Sequence, residues 1–247
     1  MQCPRWWRRQ LRKEHARLVE ATAIQLGFVH KRASPYVSKE TLKRRRQQLA
    51  RFESLLQVLQ ATNELDESFT LQELVDASTA NPTLRRYELM TRIAGFEQLA
   101  DEQEHVGLFL TLTCPSRFHA RLSRSGDVNP KYLGATPLDA QQYLNQVWAR
   151  ARASFDRQGM KPYGVRVVEA HHDGTPHWHL LLFIPKHQAD DLISTMKHYA
   201  LETDGNEPGA EQRRFTSVVI DKSKGSAAGY IAKYISKNLD AFGIDAD

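Results

Sequence analysis

Two tyrosines, two histidines and one glutamate offer the chemistry in this chain. Tyr230 and Tyr234 lie four apart in GYIAKYISKN (229–238), a segment that reads as a helix. Residues four apart on a helix stack on one face. At about 100° per residue, the two tyrosines share an arc with Lys233 and Lys237. Ile231, Ile235 and Leu239 fall on a separate apolar arc. The core face is thus supplied without the phenols, which favours a working surface over ordinary core aromatics. A free phenol, with a pKa of about 10, is a poor nucleophile at neutral pH. The neighbouring lysines would favour the phenolate and could bind a phosphate under attack. The product would be a phosphotyrosine ester, and two tyrosines would allow two successive transfers.

His177 and His179 lie two apart in HWHLLLFI (177–184), which reads as a central strand. Side chains two apart on a strand share a face. An H-x-H pair alone is more often a pair of polar residues at a sheet end. Glu169 shifts the balance. It closes the strand YGVRVVEA (163–170), across the turn HHDGTP (171–176). If the hairpin pairs 169 with 177, the carboxylate joins the imidazoles on one face. A glutamate in an apolar strand needs a partner if buried, and a metal ion supplies one. Two nitrogens and one oxygen leave coordination positions open, as a catalytic ion requires. The mixed set tolerates Mg2+ or Mn2+, with nitrogen leaning toward Mn2+. His171 and His172 are rival ligands, ranked lower because they sit in the turn.

The elements that must position these groups are legible in outline. Residues 1–100 read as helical: Lys39 to Gln60 with Ser38 as cap, about Leu71 to Ser78 with Thr70 as cap, and a helix from Asn81-Pro82 to about Ala94. From Leu108 the pattern changes. Strands are expected at 108–113, 163–170, 177–184 and 215–220, and helices at 137–158, 188–200 and 227–239, with loops at 123–137 and 202–212. The order β, α, β, β, α, β, α is an α+β domain, with helices beside a mostly antiparallel sheet.

Charge is unevenly spread. Residues 1–60 hold fourteen Lys and Arg against four Asp and Glu, while the whole chain carries a net +5. A basic end on a near-neutral body suits a polyanion, most plausibly nucleic acid. Arg44, Arg45 and Arg46 could grip DNA phosphates. Trp6 and Trp7 could stack on bases, although tryptophans near a terminus more often dock onto a domain. No run of about 18 apolar residues marks a membrane span, and no apolar stretch after the basic N-terminus marks a secretory signal. Cys3 and Cys114 are too few for a disulfide framework or a cysteine zinc site. A reducing, cytoplasmic setting is the default.

FLTLT (109–113), PHWHLLLF (176–183) and YIAKY (230–234), in that order, resemble the three motifs of the HUH endonucleases. RWWRRQLR (5–12), YVSKETLKRRR (36–46), NPTLRRYELMTRIAGFEQLA (81–100), FLTLTCPSRFHA (109–120), NPKYLGATP (129–137) and VEAHHDGTPHWHLLLF (168–183) are similar to the bacteriophage replication gene A protein family. The resemblance implies an HUH-nuclease antiparallel sheet of about five strands flanked by helices. The change from helical to strand patterning divides the chain into a basic helical region at 1–100, a candidate for DNA contact, and an endonuclease domain at 101–247. The resemblance also implies the activity: site-specific nicking of single-stranded DNA at a replication origin, a 5′-phosphotyrosine link and strand joining, which together initiate rolling-circle replication. Tyr230 and Tyr234 map to the motif tyrosines. His177 and His179 map to the histidines that hold Mg2+ or Mn2+, and Glu169 maps best to the third ligand. The setting implied is the cytoplasm of a bacterial host, with a host helicase as a further partner. The rival readings are a two-tyrosine transposase, a relaxase, a DNA-binding module without chemistry, and a zinc hydrolase. The hydrolase lacks HExxH and cysteine clusters.

Overall fold

A computed structural model describes residues 3–123 and 125–239, with backbone alone for 237–239. The chain divides into two compact units that interleave along the sequence. One comprises residues 1–50, 114–143 and 170–176, and the other 51–113, 144–169 and 177–247.

The first unit opens on α1 (Pro4–Gln25), started by Pro4, whose missing N–H costs nothing in a first turn. The first part of α2 (Lys39–Val58) follows. Ser38 caps α2 as the sequence predicts: its Oγ accepts from the Thr41 N–H at 3.2 Å, and Glu20 accepts from the Ser38 backbone and hydroxyl. A small core of Ile24, Val29 and Ala120, flanked by Ala23 and Tyr132, closes this unit. The turn 170–176 is tied down locally. Asp173 meets His119 Nδ1 at 3.1 Å and accepts from the Thr175 N–H, and the Thr175 hydroxyl donates to the Phe118 carbonyl.

The second unit begins with the rest of α2 and a two-stranded antiparallel hairpin, β1 (Gln60–Thr62) and β2 (Ser68–Thr70). That hairpin fills the gap between the helices read at 39–60 and 71–78, in a region whose overall reading is helical. Its strands are too short for any alternating pattern to show. Asn63 closes it, its side-chain oxygen accepting from the Leu65 and Glu67 amides. Then come α3 (Leu71–Asp76), with a Thr70–Glu73 capping box, and α4 (Pro82–Glu102), capped by Asn81. α4 runs about two turns beyond its predicted end, because Gly95 sits in open space within it and does not stop it.

The main sheet has four strands in the order β4-β5-β3-β6, one fewer than the roughly five the resemblance implies. They are β3 (His105–Thr113), β4 (Tyr163–Ala170), β5 (Pro176–Pro185) and β6 (Phe215–Val219). β3 pairs antiparallel with both β5 and β6. The long helices α5 (Pro137–Arg157), α6 (Ala189–Leu201) and α8 (Ala227–Leu239), with the single-turn α7 (Ala210–Arg213), complete the set.

Alternation splits the sheet into two faces. Leu108, Leu110, Leu112, Trp178, Leu180, Leu182 and Ile184 form one buried face, and α6 packs on β3 and β6. On the other face, Leu181 and Phe183 join Ile93 and Ala100 of α4 and Ala227, Ile231 and Ile235 of α8 in one core. Ile231 and Ile235 therefore occupy the core arc read from the sequence. α8 is anchored at its start, where the Ala227 N–H donates to Glu97 of α4 at 2.8 Å. Gly164 is required in β4: a Cβ there would stand 2.0 Å from the Leu181 carbonyl oxygen. Among the described residues, no helix is long and apolar enough to cross a membrane. Neither Cys3 nor Cys114 forms a disulfide among the described residues.

Candidate active site

The site lies on the face of the sheet that carries α4 and α8. His177 and His179 project there because they share parity with Leu181 and Phe183 on β5. Their Nε2 atoms are 2.9 Å apart. Glu169 Oε2 lies 3.1 Å from His179 Nε2 and 3.4 Å from His177 Nε2. Both imidazoles are buried and the glutamate is partly so. The two imidazoles and the carboxylate named from the sequence are thus brought to one point, with a single candidate donor atom from each within 4.8 Å of the others.

These spacings can be tested against a metal ion. With bonds of about 2.1 Å, adjacent ligands lie about 3.0 Å apart on an octahedron and about 3.4 Å on a tetrahedron. The separations of 3.1 and 3.4 Å fall in that interval and that of 2.9 Å lies at its lower edge. Two imidazole lone pairs cannot face each other at such a distance unless a proton or a cation lies between them. The donor set therefore fits a divalent cation held on one face, with its remaining positions open.

His179 is held by more than its ligand partners. Its Nδ1 lies 3.1 Å from the hydroxyl of Thr111 on β3. When Nδ1–H donates to that hydroxyl, Nε2 keeps its lone pair for a metal, the usual outer partnership of a ligand histidine. Register brings the two together: Thr111 is directly opposite His179. Phe109, two residues before it, stacks on the His179 ring with centroids 5.6 Å apart. Neither residue is singled out by its type. The strand FLTLT is visible in the sequence, but only the pairing of β3 with β5 shows which of its side chains meets the histidines.

The two tyrosines arrive from α8 and are not equivalent. Tyr234 lies on His179, with ring centroids 3.7 Å apart and planes 28° from parallel. It also stacks against Phe109 at 5.7 Å. Tyr230, one turn earlier, approaches Phe109 at 6.0 Å. Both are partly buried, and Tyr234 flanks the α4/α8 core. Lys233 is exposed on the same helix. Lys237 lies on α8, but its side chain falls outside the described residues.

The remaining sequence candidates lie elsewhere. Arg44 is engaged by Glu40 at 2.9 Å and lies 3.4 Å from His15 Nδ1, Arg45 donates to Gln48, and Arg46 is exposed. The rival ligands His171 and His172 are not part of the three-residue cluster. His172 stacks on Tyr36 and His171 meets His119 edge-on.

A sheet face with a two-histidine, one-glutamate cluster and a ring-stacked tyrosine pairs a candidate metal site with a phenol on an α+β scaffold. The chain belongs to the bacteriophage replication gene A protein family, whose model matches residues 1–242. It is 41% identical over 244 residues to the replication protein of Haemophilus phage HP1, covering 98% of this chain and 31% of that protein. It is 42% identical over 245 residues to the replication gene A protein of Escherichia phage 186, covering 98% of this chain and 35% of that protein. It is 38% identical to a probable replication endonuclease from a prophage-like region of Salmonella paratyphi A, covering 99% of this chain and 30% of that protein. The chain thus spans about a third of the length of the curated relatives it matches. No solved structure matches it.

Proposed function

We propose that this chain is an HUH-type endonuclease and strand-joining enzyme that nicks single-stranded DNA at a replication origin and so initiates rolling-circle replication. One observation carries the reading: Tyr234 is stacked directly on His179, within the cluster of Glu169, His177 and His179. Phosphoryl transfer to tyrosine needs a phenol beside donors that can take a cation, and this stacking supports the reading. A relative's name, probable replication endonuclease, is consistent with this.

In this reading, Glu169, His177 and His179 would hold Mg2+ or Mn2+, which would supply Lewis-acid polarisation of the scissile phosphate. Thr111 fixes the His179 ring. The phenol of Tyr230 or Tyr234 loses its proton and its oxygen attacks phosphorus. A Tyr–O–P bond forms, the bond from phosphorus to the 3′ oxygen breaks, and that oxygen takes up a proton. One ester is exchanged for another, so the 5′-phosphotyrosine keeps the energy needed for rejoining. Lys233 and Lys237 balance the phosphate charge. With one tyrosine occupied, the other is available for a second cut. Origin DNA is the partner proposed, with a host helicase to extend the opened strand in the bacterial cytoplasm.

The test is a covalent adduct. The chain is incubated with single-stranded origin DNA and Mn2+, then denatured. A protein–DNA species that survives denaturant, is abolished by chelator and is lost in Tyr230→Phe/Tyr234→Phe supports the reading. Metal-dependent cleavage without an adduct would point to a hydrolase instead.

A further inference from the structure

The N-terminal helix shows a feature that the site does not use. Every residue from Pro4 to Leu18 except Gln10 is exposed. This stretch carries Arg5, Arg8, Arg9 and Arg12, spaced i, i+3, i+4 and i+7, so that they form one ridge. No carboxylate among the described residues pairs with them: Glu14 pairs with Arg17, and Glu20 is taken by Ser38 and Thr41. Trp6 and Trp7 are 46% and 48% exposed and pack edge-to-face on each other, with centroids 4.9 Å apart. They do not dock into a core.

This arrangement runs against helix physics. Like charges at i, i+4 destabilise a helix. The first turn has no acidic residue, and Arg5 there faces the positive end of the macrodipole. An exposed helix of four turns is marginal by itself. A polyanion along the ridge removes all three penalties. The unit that contains α1 holds seventeen Lys and Arg against six Asp and Glu, so its field extends the same sign. Of the exposed large apolar side chains of this stretch, Trp7, Leu11 and Leu18 make a stripe too narrow for a helix lying in a lipid interface, and Trp6 lies off it. Trp6, three residues before Arg9, borders the ridge, and Trp7 packs on its far side. Arginines that follow a phosphate chain with an aromatic ring at their border for a base are instead the features of a single-strand platform.

We propose that the Arg5–Arg8–Arg9–Arg12 ridge with Trp6 and Trp7 binds single-stranded DNA outside the nicking centre. The assignment rests on the DNA-nicking reading for its biological sense, but binding can be measured apart from cleavage. The experiment titrates the full chain, its R5Q/R8Q/R9Q/R12Q variant and its W6A/W7A variant into labelled oligothymidylate over a salt series. Circular dichroism checks that α1 stays helical. The arginine variant is expected to lose roughly two to three units of log–log salt slope, at about 0.7 per phosphate released, and at least tenfold in affinity at low salt. The tryptophan variant is expected to lose roughly tenfold or more with its salt slope unchanged. Wild-type affinity and slope in the arginine variant would overturn the proposal. So would a loss seen only with duplex DNA, or tighter binding to anionic phospholipid vesicles than to oligothymidylate. Adduct yield at saturating DNA and Mn2+ should match wild type in both variants. Absence of any adduct from the wild type, with the binding losses intact, would reject the nicking reading and leave this one standing.

Discussion

The hydroxyl of Thr111 is the most informative single atom group to remove. Thr111→Val keeps shape and β propensity in the middle of β3 and deletes only the partner of His179 Nδ1, now 3.1 Å away. Loss of one neutral hydrogen bond is worth about 1 kcal/mol, roughly fivefold in an equilibrium. The imidazole also becomes free to place its proton on Nε2, the atom that lies 2.9 Å from His177 Nε2 and 3.1 Å from Glu169. That form cannot ligate a cation. Removing the outer partner of a ligand histidine typically costs 10- to 100-fold in metal affinity. The variant should therefore need about tenfold or more Mn2+ to reach half-maximal adduct, with near wild-type adduct at saturation and a matching shift in direct Mn2+ binding by calorimetry. Stability should fall by about 1 kcal/mol, since one part-buried hydrogen bond is lost. An unchanged Mn2+ midpoint in both assays would refute the account. So would an adduct deficit that excess metal does not restore.

Further outcomes follow from the same geometry. Asp173 is buried, which raises its pKa, but its contact with His119 and the Thr175 bonds outweigh this, and its carboxyl is held below the ordinary range. Its contribution to stability is therefore complete above the unfolded carboxylate value of about 3.9, and is lost as pH falls through the lower folded value. Asp173→Asn should cost about 1–3 kcal/mol in urea unfolding at pH 7, and the gap from wild type should close under strongly acidic conditions; a gap that does not depend on pH would contradict this. Arg214 is buried and donates to the carbonyls of Thr113, Ala200 and Thr203. Arg214→Met strands these acceptors and should destabilise by about 3–5 kcal/mol, seen as a melting point lowered by roughly 10 °C. Gly164→Ala places a methyl against the Leu181 carbonyl. It should disturb the β4–β5 pairing and weaken Mn2+ binding through Glu169, and wild-type calorimetry in this variant would show that the hairpin tolerates the shift.

Local patterning carried much of this molecule. Period-two alternation placed His177 and His179 on one face, and a short turn placed Glu169 across from them. Helical spacing sorted Ile231 and Ile235 into the core and put Tyr230 and Tyr234 on a neighbouring arc. Ser38, Thr70 and Pro82 announced their helix starts. In each case the partners are a few residues apart, or joined by one tight turn, so backbone periodicity alone relates them. What only the tertiary structure decided involves partners remote in the chain. The register of β3 against β5 selected Thr111 and Phe109 for His179 across 68 residues of sequence. The docking of α8, anchored by Glu97 and seated by Ile231 and Ile235, laid Tyr234 and not Tyr230 on the His179 ring. The hairpin of β1 and β2 was hidden by its three-residue strands. The basic helices changed their reading too. Arg44 and Arg45 are engaged with neighbours, whereas Trp6, Trp7 and the arginine ridge of α1 stand in solvent. Periodicity says which face a side chain takes, but not what meets that face, because pairing and docking are settled by a competition among all the apolar surfaces of the chain at once.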